Sequence, residues 1–164
     1  MHEPTLPYYR TLEIIRTNME KHFPEFPFSA CVETALMVEK HTGLTAVFGS
    51  LSFGGFGEVQ QTWNEDFARS LIVDLSSDMF NGAYGLNNPR INIMPKLTFR
   101  DYTPDEDQTL LRSIWNVGSM MRDKDFARTS EYIRQELERE GLLERKGVVK
   151  VPLHILTRAG AGFH

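Results

Sequence analysis

One residue of this chain could act as a strong nucleophile, and it is the lone cysteine, Cys31, in "PFSACVETALMVEKHTGL". Ser29 suits a helix N-cap, because its hydroxyl can accept a bond from a free first-turn N–H. Cys31 then falls at the second helical position. A thiol there feels the positive end of the helix dipole, which favours thiolate. Free backbone N–H groups at the same end could stabilise an oxyanion. The corresponding chemistry is attack on an amide or ester carbonyl. The same residue also reads as a structural core thiol, since free cysteine is among the most buried residue types.

Attack by a thiol needs a group that takes its proton. His41 sits at the far end of the Cys31 helix, about 15 Å away at 1.5 Å per residue. His2 and His164 lie at the two ends of the sequence. His22, just before the "FPEFPF" turn, and His154, in the C-terminal part, are the alternative bases that folding could bring near Cys31. One cysteine makes no internal disulfide and no cysteine-rich zinc site. Asp101, Asp105, Glu106 and Asp107 form an acidic cluster, three of which fit a helix N-terminus without a metal. "GSLSFGGFG" lacks the lysine and spacing of a phosphate loop. No metal and no cofactor is expected.

These residues need elements to position them. Leu12, Ile15, Met19 and Phe23 form one apolar stripe, predicting a helix over 9–23. A second helix runs from Ser29 to about His41 and ends at Gly43, with Val32, Ala35, Leu36 and Val38 facing inward; Glu33 and Glu39 fall on its solvated side. "LTAVFGSLSF" (44–53), "EVQQTW" (58–63) and "SLIVDLS" (70–76) read as strands, with "NEDF" as a hairpin loop between the last two. "INIM" (91–94) is a further short strand. Thr103-Pro104-Asp105-Glu106 has the form of a helix start. Another helix spans about Asp125–Glu140 and closes at Gly141, and "VVKVPLHIL" (148–156) suggests a last strand. Trp115, Met120 and Met121 are read as core. Strands followed by helices indicate α+β.

The order of motifs over residues 29–80 resembles the transglutaminase-like branch of the papain-like cysteine hydrolase superfamily. There, a cysteine opens a helix that ends in a Gly-hydrophobic step. A strand then carries His just before an aromatic residue, and the next strand carries Asp in a pattern like "hDhT-x-D-Q-F". Here Asp74-Leu75-Ser76-Ser77-Asp78-Met79-Phe80 fits that last pattern, with Ser for Thr and Met for Gln. The resemblance implies Cys31 as nucleophile and Asp74 as the acid that orients the base. It puts the base position on Gln61 if the family pattern is His-x-Trp, or on Thr62 if it is His-Trp. Neither side chain accepts a proton near neutral pH. Gln61 could instead donate a hydrogen bond to an oxyanion or a bound carbonyl. Trp63 and Phe80 are expected in the core or the cleft wall. The implied fold is a papain-like or transglutaminase-like core with an antiparallel sheet, N-terminal helices and a C-terminal helical addition.

The 164 residues suffice for one domain, with the core over about 9–100 and the addition over about 103–142. Apolar residues make up 41% and charged residues 24%, with a net charge of −4; this acidity disfavours broad binding to nucleic acid or an anionic membrane. No apolar run is long enough to span a bilayer, and the N-terminus lacks a secretory pattern, so a cytoplasmic location is expected. Three functions follow. The first is a catalytically silent fold that binds another protein or peptide through the old cleft. The second is a thiol-dependent acyl-transfer enzyme, of peptidase or amidase type, using Cys31 with an atypical base. The third is a nucleic-acid binder, suggested by the helix and basic hairpin order of 130–151, which resembles a winged-helix wing. Oligomeric state is not legible.

Overall fold

The computed structural model describes residues 6–28, 30–54, 57–96, 101–117 and 124–143. The first helix, α1, is Tyr9–His22. Its stripe of Leu12, Ile15 and Met19 is fully buried, and Phe23 is nearly so. Each such side chain contributes about 1.5–3 kcal/mol on burial. The second helix, α2, is Cys31–Thr42, and Gly43 ends it in the left-handed region at φ 81°. Its cap residue is Ala30, which makes no side-chain cap bond, so Cys31 is the first helical residue rather than the second. Ser29 lies outside the described residues.

Strands β1 (Thr45–Ser52), β2 (Glu58–Asp66), β3 (Leu71–Asp74), β4 (Asn92–Pro95) and β5 (Tyr102–Pro104) form one antiparallel sheet in the order β4-β3-β2-β1-β5. Between β3 and β4 come a 3-10 turn, Ser77–Phe80, and a one-turn helix α3, Asn81–Tyr84. The chain is thus α+β. Two expectations are corrected. "NED" belongs to β2, not to the loop, because Asn64, Glu65 and Asp66 pair with Val73, Ile72 and Leu71; the turn is Phe67–Ser70. Thr103-Pro104 does not start a helix. Pairing of Tyr102–Pro104 with Gly49–Leu51 makes it the edge strand β5, and helix α4 begins only at Gln108 and runs to Val117. Local capping propensity yields here to tertiary pairing.

Helices α1 and α2 cover one face of the sheet. Helix α5, Lys124–Arg139, packs on α1: His22 stacks on Tyr132 at 4.6 Å, and Phe126, Ile133 and Leu137 join the core made by α1, α2 and the inner side chains of β1 and β3. The opposite face carries a second cluster of Val47, Leu51, Trp63, Ile72, Met94 and Tyr102. Alternation along β2 assigns Gln61, Trp63 and Glu65 to this second face, and Thr62 and Asn64 to the helix side. Asn64 Nδ2 accordingly donates to the carbonyls of Ala35 (2.9 Å) and Leu44 (3.1 Å). Gly49 of β1 pairs with Gln61. A Cβ there would collide with the Thr103 carbonyl and lie 2.7 Å from the Trp63 ring and 2.9 Å from Pro104 Cα. The space above Gln61 and beside Trp63 therefore depends on a residue without a side chain.

Residues 148–156, the basic hairpin after α5, and the side chain of Trp115 with Met120 and Met121 lie outside the described residues. No helix among the described residues is long and apolar enough to cross a membrane.

Candidate functional site

The N-terminus of α2 opens onto a cleft of about 320 Å³ whose lining includes Cys31, Val32, Glu33, Phe48, Gln61 and Thr62. Strand β2 thus brings both possible base-position residues to the lining of the cleft. They do different things. Thr62, through its backbone and its hydroxyl, favours the thiolate of Cys31. Gln61, buried at 2% exposure, turns its amide to the acid: Nε2 lies 3.0 Å and 3.3 Å from the two carboxylate oxygens of Asp74 and 3.2 Å from Ser76 Oγ. Gln61 Oε1 is buried and has no hydrogen-bond partner among the described residues. A buried acceptor left this way costs about 1–3 kcal/mol.

Asp74 ends β3 at the centre of a polar cage. Besides Gln61, it accepts from the Ser76 backbone N–H (3.0 Å), the Ser76 hydroxyl (3.3 Å) and the Tyr102 hydroxyl (2.8 Å). All of these are neutral donors. Burial pushes the Asp74 carboxyl above the usual carboxylate range, and the four donors counter it only in part. A neighbouring imidazolium would offset that burial with full charge; an amide offers only a dipole.

Cys31 is half-buried, and burial is the largest cause of a thiol pKa raised above its ordinary value. The charges of Asp74 and Glu33 push in the same direction, and the Thr62 bonds oppose them.

The turn after Asp74 is held by a residue that the sequence reading passed over. Arg16 of α1 is 3% exposed. Its guanidinium donates to both carboxylate oxygens of Asp78 (2.8 Å each) and to the carbonyls of Leu75 (2.7 Å) and Arg90 (3.2 Å), and lies 4.6 Å above the Phe26 ring. Nε pairs with Glu20 at 3.0 Å. The only sequence signal was an arginine beside the apolar stripe of α1 with an acid four residues on. Tyr102 was also missed, because it was read as preceding a helix. Glu39 was placed on the solvated side, but it accepts from the Ala46 backbone N–H and pairs with Arg112 of α4.

Trp63 and Phe80 do not line the cleft, which corrects the cleft-wall reading of both. Trp63 is 1% exposed, packs edge-on against Tyr102 at 4.9 Å and donates to Glu65 at 3.0 Å. Phe80 packs against Phe53 and the second cluster on the far face. Strand alternation accounts for Trp63: it is two residues from Gln61 and so points beneath the second face. The alternative bases divide. His22 is stacked on Tyr132 between α1 and α5, away from the cleft lining. His154 lies outside the described residues. Among the described residues no cluster of His, Cys, Asp and Glu could hold a metal ion.

His41 lies at the other end of α2, with Nε2 3.0 Å from Ser130 Oγ. Burial, with Lys40 beside it, lowers its pKa from 6.5 to about 4. The unfolded chain therefore binds this proton more readily than the folded one. Stability supplied by the neutral imidazole is present above pH 6.5 and is lost as pH falls towards 4. A melting-temperature series over that range should slope downwards with acidity, and His41→Gln should flatten the slope.

No protein-family model, curated protein or solved structure matches this chain.

Proposed function

We propose that this chain has a transglutaminase-like, papain-related core formed by α2 and β1–β3, that the core is catalytically silent, and that the protein binds another protein or peptide through the Cys31 cleft. The observation that carries this reading is the Gln61 amide bonded to both oxygens of Asp74, with Gln61 lining the same cleft as a cysteine at a helix start. In a working thiol hydrolase an imidazole would stand where Gln61 stands, ordered by the acid and accepting the thiol proton. Gln61 retains the bond to the acid and cannot accept the proton. Loss of a general base costs a factor of about 10² to 10⁴.

The raised thiol pKa supports the same reading over an acyl-transfer enzyme. The test is the rate of Cys31 alkylation by iodoacetamide as a function of pH. The expected profile is slow near neutrality and still climbing past the ordinary thiol range of about 8.5. A plateau reached well below that range would mean a stabilised thiolate, and the enzyme reading would replace this one.

A further inference from the structure

Helix α4 is built inside out. A surface helix ordinarily turns its apolar stripe to the core and its polar face to water. In α4 the polar stripe does the anchoring. Gln108 bonds both backbone groups of Phe48: its Nε2 donates to the carbonyl at 2.6 Å, and its Oε1 accepts from the N–H at 2.9 Å. One turn on, Arg112 donates to both carboxylate oxygens of Glu39 and, at 3.0 Å, to the Ala46 carbonyl. Leu110 and Ile114 follow these two residues by two positions each, about 200° round the helix. They are 52% and 53% exposed. Leu111, between the two faces, packs against the core. Leu110 and Ile114 form an i, i+4 ridge of the kind that fits the groove of another helix. A single exposed leucine needs no explanation, but two apolar residues on one ridge, on a helix pinned by its opposite face, do.

The charge beside the ridge selects its occupant. Asp105, Glu106 and Asp107 lead into α4, and all three are exposed. None of them is in an ion pair among the described residues. The one cationic residue of the helix, Arg112, is paired with Glu39 on the inner face. The turn that carries the acids is fixed to the sheet. The Asp105 N–H donates to the Phe48 carbonyl at 2.8 Å, and the Asp105 carboxylate accepts from the Asp107 N–H at 2.8 Å. Acids at a helix start also suit the helix itself, so alone they mark no site; beside an exposed apolar ridge they give it a sign. We propose that Leu110 and Ile114 dock a basic amphipathic helix of another protein, with its apolar side chains on this ridge and its Lys or Arg side chains against Asp105, Glu106 and Asp107. A second copy of this chain fits less well, because the chain is acidic overall, at −4. The inference goes beyond the cleft reading, since it needs neither Cys31 nor Gln61.

The test titrates the full chain against a labelled, capped peptide of leucine and lysine, about four helical turns long with its leucines on one face, and follows fluorescence anisotropy. Micromolar binding is expected. Leu110→Ser with Ile114→Ser should weaken it about tenfold or more. Glu106→Gln with Asp107→Asn should weaken it about threefold or more; Asn suits a helix start as well as Asp does. Melting temperatures are checked first, and the charge variants carry the test if the serine variant unfolds. No binding of the lysine peptide overturns the proposal, as does an affinity unchanged in the variants. Equal binding of a peptide with glutamate for lysine, or with its leucines scattered round the helix, overturns it as well. Dimerisation of the full chain that disappears with Leu110→Ser and Ile114→Ser, without peptide binding, assigns the face to a second copy and also overturns it.

Discussion

Gln61→His is expected to raise the alkylation rate of Cys31 at pH 7 by about 10- to 100-fold, because each unit of thiol pKa lost raises the thiolate fraction up to tenfold. The substituted ring would find its orienting acid in place. Asp74 is already fixed by Ser76 and Tyr102, and it already bonds the side chain at position 61. One ring nitrogen would donate to Asp74 in place of Gln61 Nε2. The other would lie in the cleft that Cys31 shares. A protonated imidazole there replaces a neutral amide with a positive charge, which offsets the burial of both Asp74 and the thiol. Combining Gln61→His with Asp74→Asn should remove most of the gain, since the ring then loses its orienting acid. An unchanged rate in a folded Gln61→His variant would show that position 61 is not a base position, and the transglutaminase-like reading would fall with it.

The second large effect concerns stability. Arg16→Met should destabilise the fold by about 3 kcal/mol or more, because it strands a partly buried acid and two carbonyls. Asp78, Leu75 and Arg90 all lose their donor at once. Leu75 and Asp78 belong to the segment that follows Asp74, so loosening should spread to the cage around it. Arg90→Met is the control. Arg90 also pairs with Glu20, but its side chain is 55% exposed, and its loss should cost less than about 1 kcal/mol. Urea unfolding of the two variants gives the comparison. Equal losses would show that Arg16 is an ordinary surface pair rather than the anchor of the turn.

The reactive-type residues were legible because their signals are local. A cysteine ahead of "VETALMVEKHTG" marks a helix start whatever the rest of the fold does, and Asp74 closes the continuous apolar run Leu71-Ile72-Val73, which suggests a buried strand. Alternation along β2 puts Gln61 and Thr62 on opposite faces of the sheet, and the acid bonds Gln61. What could not be read depends on distant pairing. Tyr102 reaches Asp74 because β5 adds to the edge of β1, and the sequence around it offered a helix start instead. Arg16 reaches Asp78 across the fold from α1, and no local pattern distinguishes it from a solvated arginine. Trp63, expected in the core or the cleft wall, lies in the core at 1% exposure.

The sheet also restricts how a partner can approach. Both of its margins are short: β4 has four residues and ends at Pro95, and β5 has three and ends at Pro104. Proline supplies no N–H, and so few residues present too little backbone to template another strand. Both prolines disfavour edge-to-edge aggregation and recruitment by strand addition. The proposed recognition would therefore fall to side chains, and removing the prolines should expose a liability to self-association before it alters the cleft.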